Sequence, residues 1–270
     1  MAIKIGLDAG HGLKTAGKQT PDGIKEWTLN DKVRDKVVAI LSAYDCEIIH
    51  TDNNEGNTDE SLASRLAKYK AAGVAAFVSI HHNAYTGTWN NATGVEVFTD
   101  KNATAKDKEL ATAIYKRLMH YTGLKGRGVR TENWYVINQN TIPAVLVEGG
   151  FMDSNIDYKV ITSDEGQTAY AKAVAEGLIE FLGLKKKATT TKPATATNTS
   201  SFKPYLVRVK VSALNIRKTP KWGDSDVVGI IRDKGTYTIV GETMLDGTKF
   251  GKLKSGAGWI SLGSSYVTKV

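Results

Sequence analysis

The sequence predicts an α/β fold with a mainly parallel twisted sheet flanked by helices, followed by a small all-β barrel. Residues 1–184 alternate short β-rich runs with helical patterns, which is typical of a parallel sheet covered by helices. Residues 204–270 hold only short β-rich runs separated by turns. Between them, residues 185–203 are rich in Thr, Ala, Ser and Lys with one large apolar residue, which predicts a flexible linker.

Five runs of the first domain are predicted to be strands: 3–9, 46–52, 75–82, 94–100 and 143–151. Most are apolar almost throughout, as strands buried on both faces of a sheet are. Apolar residues at helical spacing predict four helices: Leu29–Tyr44, Ser61–Ala72, Ala105–Tyr121 and Thr168–Leu182. In such a sheet, functional side chains gather beyond the carboxyl ends of the strands.

The runs of the second domain are YLVRVKV, ALNIR, VVGIIR, TYTIVGE, KFGKLK and GWISL. Their number and spacing predict the small barrel. Exposed aromatic residues such as Trp222 or Tyr205 could bind a ligand there, although a barrel of this size also needs aromatic residues in its core.

The net charge of +8 is concentrated in the second half of the chain. Residues 185–203 carry five Lys and no acid, and residues 204–270 carry eleven Lys and Arg against five Asp and Glu. A basic region of this kind favours binding to a polyanion, such as nucleic acid or an anionic cell-wall polymer. Cys46 is the only cysteine, so an internal disulfide and a multi-cysteine zinc site are excluded.

The stretch GLDAGHGLKTAGK, residues 6–18, allows two interpretations. Its glycines and Lys18 approximate a phosphate-binding loop, whereas Asp8 and His11 after an apolar run suggest a metal site. A phosphate loop needs a helix to begin at its lysine. Because Gln19 follows Lys18 and residues 21–23 read Pro-Asp-Gly, no helix can extend from there. The metal interpretation is therefore favoured.

Three strand ends carry groups suited to a metal site: His11, the pair His81 and His82, and Glu148. Catalytic zinc takes three ligands from His and carboxylate side chains and keeps one position for water. Glu26, just before the first helix, fits as the third ligand and leaves Glu148 free as acid or base. Strand alternation lets only one of His81 and His82 face the site, and the local pattern leaves both open.

The ordered set LDAGHG, Glu26, SIHHNA and RGVRTENWYVINQNTIPAVLVEGGFMDSN resembles the zinc-dependent N-acetylmuramoyl-L-alanine amidases of bacterial autolysins and phage endolysins. The resemblance runs from about residue 3 to residue 182. It implies that His11, Glu26 and His81 bind Zn²⁺ and that Glu148 is the catalytic acid and base. It also implies hydrolysis of the amide bond between N-acetylmuramic acid and L-alanine.

Two positions depart from the family pattern. His82 stands where a small residue is usual, and Gly149 stands where a larger apolar residue is common. Asp8 and Asn83 are candidates for supporting the metal ligands through hydrogen bonds. His50, His120 and Cys46 are expected to be structural or exposed.

The second domain resembles bacterial SH3-like cell-wall-binding modules, through its LNIR, KG and GW motifs. The resemblance implies peptidoglycan and associated anionic wall polymers as partners. Nucleic acid is not expected, because the basic region lacks a recognisable nucleic-acid-reading motif. The first residues contain no apolar run long enough for a signal peptide or a membrane span.

Together these features predict an endolysin against a Gram-positive host, made in the host cytoplasm, released by a holin, not inserted in the membrane, and monomeric. The rival functions are a zinc-dependent stem-peptide peptidase, a host or prophage autolysin, a nucleic-acid-binding protein and a catalytically inactive wall-binding protein.

Overall fold

The computed structural model of the chain describes residues 2–138, 141–187, 202–221, 226–245, 248–264 and 266–270. The chain divides into two compact units, Met1–Thr189 and Thr190–Val270. Most of the predicted linker, and Trp222, lie outside the described residues. The first linker residues are ordered, because the Asp45 N–H donates to the Lys185 carbonyl at 2.9 Å and the Lys187 N–H to the Ala43 carbonyl at 2.9 Å.

The first unit contains a six-stranded sheet in the order β2-β1-β3-β6-β4-β5. Its strands are β1 Ile3–Ala9, β2 Cys46–His50, β3 Ala76–Asn83, β4 Val95–Thr99, β5 Gly126–Thr131 and β6 Ala144–Phe151. Every pairing is parallel except that of β4 with β6. The mostly parallel α/β fold is thus confirmed. The edge strand β5 was not predicted, because its sequence GRGVRT contains a single apolar residue and no alternating pattern.

In the described part of the first unit, five helices accompany this sheet: α1 Glu26–Leu41, α2 Leu62–Ala72, α3 Ala105–Thr122, α4 Tyr158–Ile161 and α5 Asp164–Leu182. Helix α1 begins three residues before its predicted start, so that Glu26 lies in its first turn. This start could not be predicted from the sequence, because the N-cap residue is Lys25, which makes no side-chain capping hydrogen bond. Helices α2 and α3 are each followed by a glycine, Gly73 and Gly123. Both glycines have the left-handed backbone conformation that is common just after a helix.

The two faces of the sheet have separate cores. Helices α1, α3 and α5 cover one face, where Val78 and Ile80 of β3 are fully buried. Helix α2 and the 134–137 segment cover the other face, where Phe77 of β3 is buried against Tyr69. Because side chains alternate along a strand, His82 belongs to the first face and His81 to the second.

The second unit is a seven-stranded antiparallel sheet in the order β13-β7-β10-β11-β12-β8-β9. The strands are β7 Tyr205–Val209, β8 Leu214–Arg217, β9 Val227–Ile231, β10 Thr236–Leu245, β11 Thr248–Leu253, β12 Trp259–Ser261 and β13 Val267–Lys269. Its core contains mostly aliphatic side chains, including Ile239 and Ile260. Among the described helices of the chain, none is long and apolar enough to cross a membrane.

Candidate active site

His11, Glu26 and His81 lie together at the carboxyl edge of the sheet. Each offers a ligand atom, and these atoms all lie within 4.8 Å of one another. Glu26 bridges the two histidines: its Oε2 is 3.3 Å from His11 Nε2 and its Oε1 is 3.0 Å from His81 Nδ1. Two imidazoles and a carboxylate in this arrangement could hold a divalent metal ion.

The backbone at the end of β1 turns sharply to bring His11 toward Glu26. His11 has a φ of 66°, and no other non-glycine residue in the described part of the chain has a positive φ. The preceding Gly10 is required by space, since a Cβ there would overlap the imidazole of His81. A strained backbone at a potential ligand is a typical feature of functional sites.

Arg65 of α2 holds this strained turn. The guanidinium is fully buried and donates to the His11 carbonyl at 2.8 Å and to the Ala9 carbonyl at 2.9 Å. It also donates to Asp8 Oδ1 at 2.6 Å, and Asp8 Oδ2 accepts from the Ser79 hydroxyl at 2.6 Å. Asp8 therefore supports His11 through Arg65 rather than through the imidazole.

Glu26 is almost completely buried and fully hydrogen-bonded. Its Oε1 accepts from the Asn30 amide and from the His82 backbone N–H, both at 3.3 Å. Burial raises the pKa of Glu26, but the hydrogen bond with His81 and the charges of His81 and His11 outweigh that effect and lower the pKa to about 2. Glu26 is therefore an anion at neutral pH. Burial lowers the pKa of His11 to about 4, although the charge of Glu26 raises it.

His82 points to the opposite face of β3 from His81. Its Nδ1 is 2.8 Å from Asn30 Oδ1, and its ring packs edge-on against Tyr170 with centroids 5.5 Å apart. Burial lowers the pKa of His82 to about 4. His82 thus orients Asn30, which in turn contacts Glu26.

Glu148 stands beside His81 in the neighbouring strand, on the same face of the sheet. Its Oε2 is buried without a hydrogen-bond partner among the described residues. Burial raises the pKa of Glu148 well above its ordinary value, and the charges of Glu26 and Glu96 raise it further. A carboxyl group with a raised pKa can hold a proton where an ordinary glutamate is ionised, which makes Glu148 a candidate for proton transfer.

Glu96 lies directly opposite Glu148 across the β4–β6 pair. Its Oε1 accepts from the Asn83 amide at 2.7 Å, and its Oε2 lies 3.3 Å from Arg127 Nε and 3.2 Å from Arg130 Nε. Asn83 therefore contacts Glu96, and the structure shows no hydrogen bond from its side chain to the three potential ligands within the described chain.

A cavity of about 370 Å³ opens above these groups. Among its lining residues are His11, Glu26, His81, Glu148 and Lys18. A second cavity of about 310 Å³ also borders His11 and His81, and its far wall carries Asp59, Glu60 and Arg65. His11 and His81 thus border both cavities, and Glu26 borders the first.

Lys18 is part of this cavity wall and not of a phosphate loop. The segment that follows it forms turns and an isolated bridge between Gln19 and Lys25, and the next helix begins only at Glu26. The Glu26 N–H donates to the Lys18 carbonyl at 3.0 Å, which fixes this segment against the start of α1.

The unusual Gly149 is explained by Tyr170 of α5. A Cβ at position 149 would overlap the Tyr170 ring. The Tyr170 hydroxyl donates to the Val147 carbonyl at 2.8 Å and lies 3.2 Å from the His81 carbonyl. Tyr170 therefore joins the two strands that carry His81 and Glu148.

The remaining sequence candidates lie outside the cluster. The Cys46 thiol is 3.6 Å from the Leu41 carbonyl, and burial raises its pKa. Burial also lowers the pKa of His50 in β2. His120, in the last turn of α3, contacts the ring of Tyr121.

Sequence reasoning missed Arg65, Asn30, Glu96 and Tyr170. Arg65 and Asn30 were detectable in principle, because each places a polar group on the apolar side of a predicted helix. Glu96 was detectable as a charge within a buried strand. Nothing in the local sequence of Tyr170 distinguishes it from an ordinary core aromatic residue.

Fold and site together define an α/β protein with a potential His-Glu-His metal centre at the carboxyl edge of its sheet. The chain belongs to the Amidase_3 family, described as N-acetylmuramoyl-L-alanine amidase, whose sequence model matches residues 5–180. As a member of this family it is a peptidoglycan amidase.

Individual relatives agree with the family match. The endolysin of Bacillus phage SPP1 is 33% identical over 274 residues, which cover 99% of this chain and 98% of that protein. The catalytic domain of the amidase CwlV from Bacillus (Paenibacillus) polymyxa var. colistinus has a TM-score of 0.62 at 29% identity, over 68% of this chain and 99% of that domain. An N-acetylmuramoyl-L-alanine amidase from Clostridium difficile 630 has a TM-score of 0.63 at 27% identity, over 67% of this chain and 97% of that structure.

Proposed function

We propose that this chain is an endolysin-type enzyme that hydrolyses the amide between N-acetylmuramic acid and L-alanine in Gram-positive walls, with Zn²⁺ held by His11, Glu26 and His81. The observation that carries the proposal is the convergence of these three side chains within 4.8 Å, in the same cavity as the unpaired Glu148. The donor set fits zinc, which takes imidazole nitrogen and carboxylate oxygen and leaves a position open in catalytic sites.

Glu148 is the proposed acid and base. When bound, zinc would polarise the scissile carbonyl and lower the pKa of the attacking water. Glu148 Oε2, which has no other hydrogen-bond partner in the described structure, accepts the proton of that water. The same carboxyl group then donates this proton to the nitrogen of the alanine as the amide C–N bond breaks. The products are a free lactyl carboxylate and a peptide with a free amino group.

The second unit is the proposed wall-binding module of SH3-like type. It contains a groove of about 440 Å³ lined in part by Tyr205, Lys210, Lys249 and Lys269. The Lys269 ammonium lies 4.3 Å from the centre of the Tyr205 ring. Glu242 also lines the groove and pairs with Lys249 at 3.2 Å, so three lysines against one acid leave a positive groove that favours an anionic wall polymer. Binding of the full chain to purified walls is therefore expected to weaken as salt is raised.

The function is tested by mass spectrometry of fragments released from purified Gram-positive peptidoglycan, with and without a chelator. An amidase releases peptides that begin with L-alanine and glycan chains without peptide. Release should stop with the chelator and return when Zn²⁺ is added. Fragments cut inside the stem peptide would instead identify a peptidase, and unchanged release with the chelator would contradict the metal assignment.

A further inference from the structure

The loop after β3 presents aromatic side chains to solvent beside the catalytic cavity. Tyr85 is 73% exposed and Trp89 is 44% exposed. Trp89 packs edge-on against the half-buried Tyr158, with centroids 5.0 Å apart. We name Tyr85, Trp89 and Tyr158 the aromatic ledge.

The ledge adjoins the cavity along the chain. Ala84, the residue before Tyr85, lines the same cavity as Glu148, and so does Met152 of the neighbouring loop. The Met152 N–H donates to the Asn83 carbonyl at 2.7 Å, which joins the two loops at the cavity rim. A ligand that extends from the cavity past Ala84 would therefore reach Tyr85, the residue of the ledge that follows Ala84 in the chain.

Hydrogen bonds fix the backbone of the loop that carries Tyr85 and Trp89. Asp153 is buried, and its Oδ2 accepts from the backbone N–H groups of Tyr85, Thr86 and Gly87 at 2.8–2.9 Å. The Asn90 N–H donates to the Asp153 carbonyl at 2.9 Å. Because a buried carboxylate fixes the backbone, the loop does not have to become ordered when a ligand binds, which reduces the entropy lost on binding.

The Tyr158 ring is fixed from a third segment. Its hydroxyl donates to Asp22 Oδ2 at 2.5 Å, and Thr20 donates to the other oxygen of Asp22 at 2.5 Å. The aspartates that touch the ledge, Asp22 and Asp153, thus each accept hydrogen bonds from the protein. The ledge presents rings and the neutral side chains of Thr86 and Asn90, with no lysine or arginine among its contacts in the described residues.

The surroundings of the two cavities that share His11 and His81 therefore differ in chemistry. The 310 Å³ cavity carries the acidic side chains of Asp59 and Glu60, which suit a peptide with positively charged groups. The ledge carries exposed rings with amide and hydroxyl groups, which suits the apolar faces and polar edges of uncharged sugar rings. A glycan-linked peptide has both kinds of part, joined at the bond to be cut.

We infer that the aromatic ledge binds the glycan strand of the substrate, through N-acetylhexosamine rings adjacent to the scissile amide. This inference rests on the proposed function for its substrate. It adds how the glycan and the peptide of that substrate are oriented in the site. The glycan leaves the cavity past Ala84, and the stem peptide occupies the side of Asp59 and Glu60.

Binding is tested first without catalysis. A tetramer of N-acetylglucosamine is titrated calorimetrically into the full chain and into Trp89→Ala, Trp89→Phe and Tyr135→Ala. Tyr135 is a matched control because it is 52% exposed and lies outside the ledge. Loss of one stacking ring should weaken binding by about tenfold in Trp89→Ala. Trp89→Phe and Tyr135→Ala should bind close to wild type.

Hydrolysis is tested second, on muramyl peptides with one sugar and with four sugars. In Trp89→Ala, KM should rise only for the four-sugar substrate, while kcat stays the same for both. Tyr135→Ala should not change the ratio of the two KM values. Tetramer binding that is unaffected in a folded Trp89→Ala variant would overturn the inference, and so would an equal loss of activity on both substrates. If the wild type binds the tetramer but cuts neither substrate, the proposed function fails and the ledge assignment stands.

Discussion

Glu26 and Glu148 are two buried carboxyl groups in one cavity, and their surroundings are opposite. Glu26 lies near two histidines and Asn30, and its pKa is lowered to about 2. Glu148 keeps an unpaired oxygen, and burial next to other acids raises its pKa well above normal. The same residue type is therefore an anion in one position and the proposed proton carrier in the other, because environment rather than identity sets the protonation state.

The largest expected effect separates the two glutamates directly. Glu148→Gln removes the proposed proton acceptor without changing the shape of the cavity, so turnover should fall by about 10³-fold or more while bound zinc is retained. Glu26→Gln should lose both zinc and activity. Amino-group release and metal content by elemental analysis measure the two effects. Substantial turnover in Glu148→Gln would remove Glu148 from its role.

Variants of the two adjacent histidines test which of them is a metal ligand. His81→Ala removes a proposed ligand and should abolish stoichiometric zinc binding. His82→Ala removes a side chain on the other face of β3 and should keep zinc, with loss of stability of about 2–3 kcal/mol from the cavity and the unpaired Asn30. Zinc titration and thermal unfolding measure these effects. The reverse pattern, with zinc lost only in His82→Ala, would exchange the two assignments.

The strained turn at His11 gives an intermediate effect. Arg65→Met leaves Asp8 buried without its partner and frees the carbonyls of Ala9 and His11. We expect zinc affinity to fall by about 10–100-fold and stability by about 3–5 kcal/mol. Thr51→Val is a matched control, since it removes a different hydrogen bond to Asp8 without touching the turn. Equal zinc affinity in folded Arg65→Met and wild type would show that Arg65 acts on stability alone.

The effect that leaves activity unchanged is the pH dependence of stability in the zinc-free chain. His82 has a folded pKa of about 4 against an ordinary value of 6.5, so the unfolded chain binds its proton first as pH falls. The stability that depends on neutral His82 is therefore complete above about pH 6.5 and lost progressively toward pH 4, by up to about 3 kcal/mol. His82→Gln should flatten this part of the curve relative to wild type in chelator. An unchanged slope would contradict the assigned shift.

The sequence predicted those features that depend on local pattern. Alternating apolar runs and helical spacing identified the mostly parallel sheet, and strand ends pointed to His11, His81 and Glu148. Features that depend on distant contacts were missed. Strand β5 lacks an apolar pattern because it lies at an edge, and Arg65 reaches His11 only because α2 folds beneath the end of β1. The choice between His81 and His82 needed the two faces of β3, each with its own core.

The most direct test of the account is an anomalous difference map recorded at the zinc absorption edge from crystals of the zinc-loaded protein. One peak is predicted among His11 Nε2, His81 Nδ1 and a Glu26 oxygen, at about 2.0–2.2 Å from each, with Glu148 close by and uncoordinated. A peak coordinated by His82, or no zinc peak within reach of these three side chains, would contradict the account.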